Sequence, residues 1–312
     1  MNMQTTSNIL MIEPISFGFN EETAKNNYFQ QNDNTAESQI QQNALKEFTA
    51  MVETLRGKKI NVIVEKDTIS PHTPDSIFPN NWVSFHSCGK VVLYPMFAEN
   101  RRTERRPDIL ERIKSEGFSI NQNIDFSGYE HQNKFLEGTG SMILDRDNHI
   151  AYACISQRTD KNLFELFCRE LEYTPVSFSS FQTVEDKRLP IYHTNVMMCV
   201  ADHYVVICLD TIDNADERKM VMESIEKSGK KIVEITEKQM HLFAGNMLQV
   251  NNIEGEKFLV MSQTAYESLT KEQVETIESF NAIIHVPIPT IERYGGGSAR
   301  CMMAEVFLPK NN

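Results

Sequence analysis

The sequence predicts a single α/β domain built from about five strand–strand–helix–strand modules set around an axis. Three observations carry this. Pairs of short apolar strand candidates recur along the 312 residues, and each pair leads to an amphipathic helix and one more strand. The period is about 55–60 residues, yet the residues themselves do not repeat, so the repeat lies in the pattern alone. No stretch has the composition of an interdomain linker, so residues 1–312 are expected to form one domain. Modules around an axis bring their ends to one central pocket.

The elements follow in order. Ile9-Leu10-Met11-Ile12 is the first strand candidate, and the polar, Asn-rich stretch 20–34 is a loop. A helix is expected at about 35–57, because Ile40, Ala44, Leu45, Phe48, Met51, Val52 and Leu55 share one face and Gly57 can cap the end. Residues 60–64 alternate as a strand should. The next module is a strand pair at about 82–95, a helix at about 106–116 and a strand near 118–120. The third has its pair at about 140–155, helix at about 161–172 and strand near 174–178. The fourth has them at about 194–210, 214–228 and 231–235, the fifth at about 246–261, 270–280 and 282–286. Ala304 to Leu308 form a last strand with no helix after it, which is free to complete the first module.

Hydrophobic residues make up 40% and charged residues 24%, as in ordinary globular domains. The formal charge of −12 argues against nucleic acid and anionic membrane as partners, since both require a basic face. The cysteines at 88, 154, 168, 199, 208 and 301 form no C-x-x-C pair and have no zinc-like spacing to histidines. A reducing compartment, the cytoplasm, fits that usage. The polar start, Met1 to Asn8, lacks the pattern of a signal peptide, and no apolar run approaches the roughly 20 residues of a membrane span.

Four stretches carry chemistry. Tyr294-Gly295-Gly296-Gly297-Ser298-Ala299-Arg300-Cys301 is a glycine-rich turn able to bring a cysteine thiolate close to a ligand. It lacks the Gly-Lys-Ser/Thr of a phosphate loop. In His193-Thr194-Asn195 two polar side chains would point to one side of a beginning strand, the histidine as base and acid. Leu136-Glu137-Gly138 sets a carboxylate in a small-residue turn, where it can orient an imidazole. Pro74-Asp75-Ser76-Ile77-Phe78-Pro79-Asn80-Asn81 is a proline-rich loop before the only tryptophan. Taken singly, each has a plain structural explanation: a tight turn, a strand-edge histidine, a solvated acid, a rigid loop. Taken together, Cys301, His193 and Glu137 make a nucleophile, base and orienter contributed by different modules. Arg158 and Arg101 can fork a carboxylate.

These stretches resemble the guanidine-modifying superfamily of arginine deiminases, dimethylarginine dimethylaminohydrolases, amidinotransferases and succinylarginine dihydrolases, and most of all its citrulline-utilisation hydrolase group. The resemblance runs from Ile9 to Leu308 and implies a five-bladed α/β propeller, which agrees with the module count. Gly296 to Cys301 is similar to the family's Gly-Gly-x-x-Cys turn, giving Cys301 the nucleophile role. His193-Thr194-Asn195 stands where the family has His-x-Asp, and Leu136-Glu137-Gly138 resembles Leu-Glu-Gly-Gly-Asp, so Glu137 would partner His193. Asp75 and Phe78 match the Pro-Asp-x-x-Phe of the substrate loop. Ser156-Gln157-Arg158-Thr159 resembles Ser-x-Arg-Thr, whose arginine holds the α-carboxylate, and Arg101 aligns with a second such arginine.

The chain departs from arginine deiminases at Asn81 and Asn195, where those enzymes carry aspartate. An amide brings N–H donors and no full charge, which suits a neutral ureido oxygen better than a guanidinium. The expected function is therefore a cysteine-dependent hydrolase of citrulline, arginine or an arginine derivative, working through a covalent S-linked intermediate without metal or cofactor. An amidinotransferase with the same three residues, and a non-catalytic binding protein on the same fold, are the alternatives. The expected partner is a small amino-acid substrate; a homodimer is left open.

Overall fold

The structure, a computed structural model, describes residues 3–311; Met1, Asn2 and Asn312, the first two of them in the polar N-terminal stretch, lie outside it. The chain opens with β1 (Asn8–Glu13), α1 (Glu37–Gly57) and β2 (Asn61–Lys66). The apolar stripe of α1 faces inward: Ile40, Ala44, Phe48, Met51, Val52 and Leu55 are buried, with Leu45 half-buried at its edge. Gly57 is the last helical residue rather than the cap, and Lys59 takes the left-handed conformation (φ 62°).

Four modules of one pattern follow. The first has β3 (Val83–Phe85), β4 (Lys90–Leu93), α2 (Pro107–Ser115) and β5 (Gln122–Asp125). The next has a single helical turn, α3 (Gly138–Ser141), before β6 (Ile143–Asp145), β7 (Ile150–Cys154), α4 (Lys161–Leu171) and β8 (Thr174–Phe178). A hairpin, β9 (Phe181–Val184) with β10 (Lys187–Pro190), then interrupts the pattern. The third consists of β11 (Met198–Val200), β12 (Tyr204–Ile207), α5 (Ala215–Lys227) and β13 (Lys231–Glu234). After the short α6 (Glu237–Met240), the last module has β14 (Leu248–Asn251), β15 (Lys257–Ser262), the two helices α7 (Gln263–Ser268) and α8 (Lys271–Glu278), and β16 (Ala282–Val286). The chain ends through α9 (Pro289–Gly295) and β17 (Ala304–Glu305).

Each of these modules makes a three-stranded sheet in which the first strand pairs antiparallel with the second and the second pairs parallel with the third. The parallel step needs a crossover, which the helix supplies. β17 completes the first sheet: Ile9 pairs antiparallel with Glu305, and β1 runs parallel to β2. Among the described residues there are thus five sheets of one pattern, and the first strand of each is short and almost wholly buried. β17 lies against β3, β6 against β11, and β11 against β14, so these strands line the interior. Helix starts are fixed locally: the Asp160 side chain accepts the Leu163 N–H, Asn214 accepts Asp216 and Glu217, and Thr270 with Gln273 forms a capping box.

One expected strand is displaced. Phe118 is buried, but it sits in the loop before β5, and the ladder with β4 begins only at Gln122. The apolar signal at 118–120 marks a side chain packed into the core and an isolated antiparallel bridge of Phe118 to Lys310, in which Ser119 N–H bonds Pro309 O, rather than the ladder with β4. The hairpin at 181–190 has no counterpart in the expected modules.

Candidate active site

The turns that precede the first strands converge. Asn80 and Asn81 lie on the 3-10 turn Pro79–Asn81 ahead of β3. Glu137 is the residue before α3, and Asn195 is in the 3-10 turn Thr194–Val196. Cys301 follows the glycine turn that ends α9. His193 precedes its turn with extended backbone (φ −133°, ψ 139°), so His193 and Asn195 are delivered by a turn rather than by the strand the sequence predicts, which starts at Met198. The Thr194 hydroxyl explains this: it donates to Ser141 O at 2.5 Å and accepts the Cys154 N–H at 2.9 Å, an alternative to ladder pairing.

One small cavity of about 20 Å³, roughly room for one water, is lined by Cys301, His193, Asp75, Asn81, Arg101 and Arg158, with Phe78, Tyr192 and Gly295–Gly297. Glu137 lies behind His193 and is fully buried. Its Oε2 is 2.7 Å from His193 Nε2, its Oε1 accepts the Phe97 N–H at 2.8 Å, and Arg158 Nη1 is 3.5 Å away. Burial alone would raise the Glu137 carboxyl, but Arg158, the His193 hydrogen bond and Arg101 outweigh it and hold the group well below the usual carboxylate range. Burial dominates at His193 and lowers its imidazole to about 4, against the pull of Glu137. The pair is therefore an ionised carboxylate accepting from a neutral imidazole, which puts the ring proton on Nε2 and leaves Nδ1 a lone pair. Gly140 is required here: a Cβ would stand 2.3 Å from Asn81 Nδ2 and 2.8 Å from His193 Nδ1.

Cys301 is 7% exposed, and its sulfur receives two amide donors, Asn195 Nδ2 at 3.3 Å and Asn246 Nδ2 at 3.2 Å. Such donors suit a negatively charged sulfur. The Asn246 amide is oriented by backbone: its Oδ1 accepts Arg300 N–H at 3.1 Å and its Nδ2 also donates to Asn195 O at 3.0 Å. Asn246 thereby clips the histidine turn to the cysteine turn. Burial pushes the thiols of Cys154, Cys168, Cys199 and Cys208 up to about 12, as befits small core residues.

Arg101 does not present a free fork. Its Nε and Nη2 are on Glu104 at 2.9 and 3.0 Å, Nη2 also reaches Phe78 O at 3.2 Å, and Nη1 donates to Asn81 Oδ1 at 3.0 Å. A bidentate grip on a substrate carboxylate would require leaving Glu104. Arg158 stands over the Tyr192 ring (4.8 Å) and donates to Thr23 O at 2.8 Å and to Asn26 Oδ1. Asp75 is fully buried, its carboxyl raised by that burial; Oδ2 accepts Asn20 at 2.7 Å and Thr23 at 3.1 Å.

The loop 20–34 is thus the roof of the cavity, tied to the glycine turn by Asn27 Nδ2 to Gly295 O, Gln30 Nε2 to Tyr294 O and Gln31 N–H to Arg293 O. Gly296 (φ 61°) leaves room for it, since a Cβ there would lie 2.6 Å from Asn27 Nδ2. Neither the roof residues nor Asn246 stood out in the sequence. A signal for Asn246 existed: Asn81, Ser141 and Asn246 each stand two positions before a first strand, and Asn195 and Cys301 three positions before. Among the described residues, no group of three His, Cys, Asp or Glu side chains could hold a metal ion, and no helix is long and apolar enough to cross a membrane.

The family model described as N,N dimethylarginine dimethylhydrolase, eukaryotic, matches residues 13–308. The chain belongs to this family. Membership in the N,N dimethylarginine dimethylhydrolase family places it in the guanidine-modifying superfamily. No curated protein sequence is a significant match. Among solved structures, the arginine dihydrolase ArgZ of the cyanobacterial ornithine–ammonia cycle is 18% identical with a TM-score of 0.73, over 97% of this chain. The chain spans 41% of ArgZ's length; against the ArgZ N-terminal domain bound to product it covers 99% of that domain, at 19% identity and a TM-score of 0.70. A dimethylarginine dimethylaminohydrolase adduct with 4-chloro-2-hydroxymethylpyridine is 16% identical with a TM-score of 0.64, covering 97% of this chain and all of that one. At these identities the likeness is one of fold.

Proposed function

We propose that the chain is a cysteine-dependent hydrolase of the C–N bond in the ureido or guanidino group of citrulline, arginine or an arginine derivative, with a neutral ureide preferred. One observation carries the preference: three buried polar atoms near the nucleophile have no partner. Asp75 Oδ1 and Asn81 Nδ2 belong to residues of the cavity wall, and Asn195 Oδ1 sits on the amide that donates to the sulfur. Arg101 fixes the Asn81 amide with its oxygen turned away, so Asn81 offers a donor. One donor and two acceptors match a carbonyl oxygen with its flanking N–H groups; a guanidinium, all donors, would leave Asn81 Nδ2 unmet.

His193 takes the Cys301 proton, and sulfur adds to the planar carbon. Collapse breaks the C–N bond, and His193 returns the proton to the departing amine or ammonia. An S-carbamoyl or S-amidino intermediate remains; water, deprotonated by His193, cleaves the C–S bond and the thiol is restored. Glu137 keeps the imidazole in its Nε2–H tautomer. The cavity is too small for an amino acid, so the 20–34 roof lifts on entry, and Arg158 exchanges Thr23 and Asn26 for the substrate α-carboxylate. In this reading the five sheets are the blades of a five-bladed propeller in one domain, and the thiol works in a reducing compartment such as the cytoplasm.

The test is ammonia release from citrulline, arginine, N-succinylarginine and agmatine. Strong preference for free arginine removes the amide argument; full activity in Cys301→Ala removes the nucleophile.

A further inference from the structure

Asn81, Glu137, Asn195 and Cys301 all precede first strands. The opposite ends of three such strands meet at another cavity, of about 350 Å³. It is lined by His86 after β3, Arg146 after β6 and Phe307 after β17, with Lys90 at the start of β4 and Tyr173 before β8. An isolated parallel bridge of Phe85 to Val306 holds two of these ends side by side. Arg146 is the deciding residue. It is 6% exposed, yet its one carboxylate neighbour, Glu305 Oε1, is 3.6 Å from Nε, and the other Glu305 oxygen already holds Arg300 at 2.7 Å. The Tyr173 hydroxyl is its other side-chain partner. Two such partners leave part of a five-donor fork unmet. The buried Arg101, Arg158 and Arg300 each make close hydrogen bonds instead. The charged end of Arg146, not its stem, forms the wall: it stacks 4.0 Å from the Phe307 ring centroid and bonds Tyr173, both lining residues. Stacked so, it presents its N–H groups edge-on.

Two further donors stand on the same wall. Lys90 Nζ donates to Glu170 O at 2.8 Å, which uses one of its three protons. His86 Nε2 is 2.8 Å from Ser84 Oγ, which is 2.6 Å from the Tyr94 hydroxyl. Burial keeps the Tyr94 phenol protonated, and Ser84 is its only acceptor among the described residues, so the protons run from Tyr94 to Ser84 to His86 Nε2. Burial, together with the charges of Arg146 and Lys90, keeps the imidazole neutral. Its one proton is therefore on Nδ1, which has no partner among the described residues. We propose that this cavity binds the oxyanion group, a carboxylate or a phosphate, of a small metabolite, with Arg146 as the fork and Lys90 and His86 Nδ1–H completing the grip. An oxyanion supplies the acceptors that these three residues lack. The lining acids, Glu170 and Glu172, are exposed, where water and salt screen their charge. Glu305 and Arg300 stand between this site and Cys301, and the inference does not depend on which reaction Cys301 performs.

The probes are inorganic phosphate, acetate and acetamide, titrated calorimetrically into the full chain at low, fixed ionic strength. Phosphate or acetate should bind, and the tighter of the two names the group. Acetamide, with the shape of acetate and no charge, should bind at least tenfold more weakly. Arg146→Leu should weaken the anion at least tenfold, and Lys90→Gln, at a half-buried side chain, severalfold. Cys88 is exposed and lines the cavity, so it reports occupancy. The bound anion should slow iodoacetamide alkylation of Cys88 severalfold, relative to chloride at equal ionic strength, in the unmodified protein and not in Arg146→Leu. Failure of both anions to bind, acetamide bound as tightly as acetate, or affinity untouched by both substitutions would each overturn the proposal. So would an anion that protects Cys301 and leaves Cys88 unprotected, since it then occupies the candidate active site. Should Arg146→Leu not fold, unchanged affinity in Lys90→Gln with Cys88 unprotected overturns it equally.

Discussion

Replacing Asn81 by aspartate isolates the one polar contact on which the ureide preference rests. The substitution keeps the shape and keeps an acceptor for Arg101 Nη1, now 3.0 Å from the amide oxygen, so the fold should survive. What changes is the second atom, a buried donor that becomes an acceptor with charge. A ureido oxygen then loses one hydrogen bond and faces a carboxylate, a cost of about 1–3 kcal/mol. A guanidinium gains a charge-assisted bond of about 1.5–3 kcal/mol. The two shifts act on opposite substrates and add in the ratio of kcat/KM, giving about 2.5–6 kcal/mol, or roughly 50-fold at the least. Burial of a second carboxylate beside Asp75 works against the gain, so the lower end is the expectation. The assay is ammonia release under kcat/KM conditions with arginine and citrulline, alongside a thermal melt to confirm folding. A ratio that moves less than about threefold, or towards citrulline, refutes the reasoning.

Other perturbations test the rest of the site. Asn246→Ala removes the partner of Arg300 N–H and of Asn195 O, so it should destabilise the chain by about 2 kcal/mol or more in a denaturant titration and slow alkylation of Cys301. Gly140→Ala drives a methyl into Asn81 and His193; a loss of turnover with near-normal secondary structure is expected, and unchanged kcat would show that the imidazole tolerates displacement. Because burial lowers His193 to about 4, the base form persists below ordinary histidine pH, so the acid limb of kcat/KM should lie nearer pH 4 than 6.5. The same shift has a stability consequence. Unfolded chain binds this proton below about 6.5 and folded chain only below about 4, so stability contributed by neutral His193 is full above 6.5 and is lost as pH falls through that window. Calorimetric melts of His193→Asn should show less of that loss. Glu137→Gln should cut kcat, since the amide no longer enforces the ring tautomer, and should move the acid limb lower, since Glu137 is the group that raises His193 against its burial; a kcat within twofold would dissociate the two residues.

The modules were legible because their helices present apolar stripes and their strands are short apolar runs, as α1 and β12 illustrate. The strands β8 and β16 fall at their expected residues. β5 did not, since Phe118 packs into the core while bridging Lys310, and hydropathy does not say which segment an apolar residue pairs with. The hairpin β9–β10 is held at its rim by exposed polar pairs, Arg188 with Asp213 and Glu237, and gives no periodic signal. At the site, Cys301, His193 and Glu137 stood out by residue type. Arg101 also did, but its actual partner Glu104 lies three residues on in a 3-10 turn, and no spacing rule reveals that the fork is already taken. The roof left no mark because its importance lies in tertiary hydrogen bonds to backbone groups far along the chain, and Asn246 was marked only by its place two positions before β14.

The pairing of Ile9 with Glu305 has a temporal meaning. The sheet beside the cysteine turn joins β17 to β1 and β2, segments far apart in sequence, so this sheet is completed only after β17 has been synthesised and has met β1. A chain that stops short of Ala304 would lack β17 and is expected to leave the turn carrying Cys301 without its neighbouring strand.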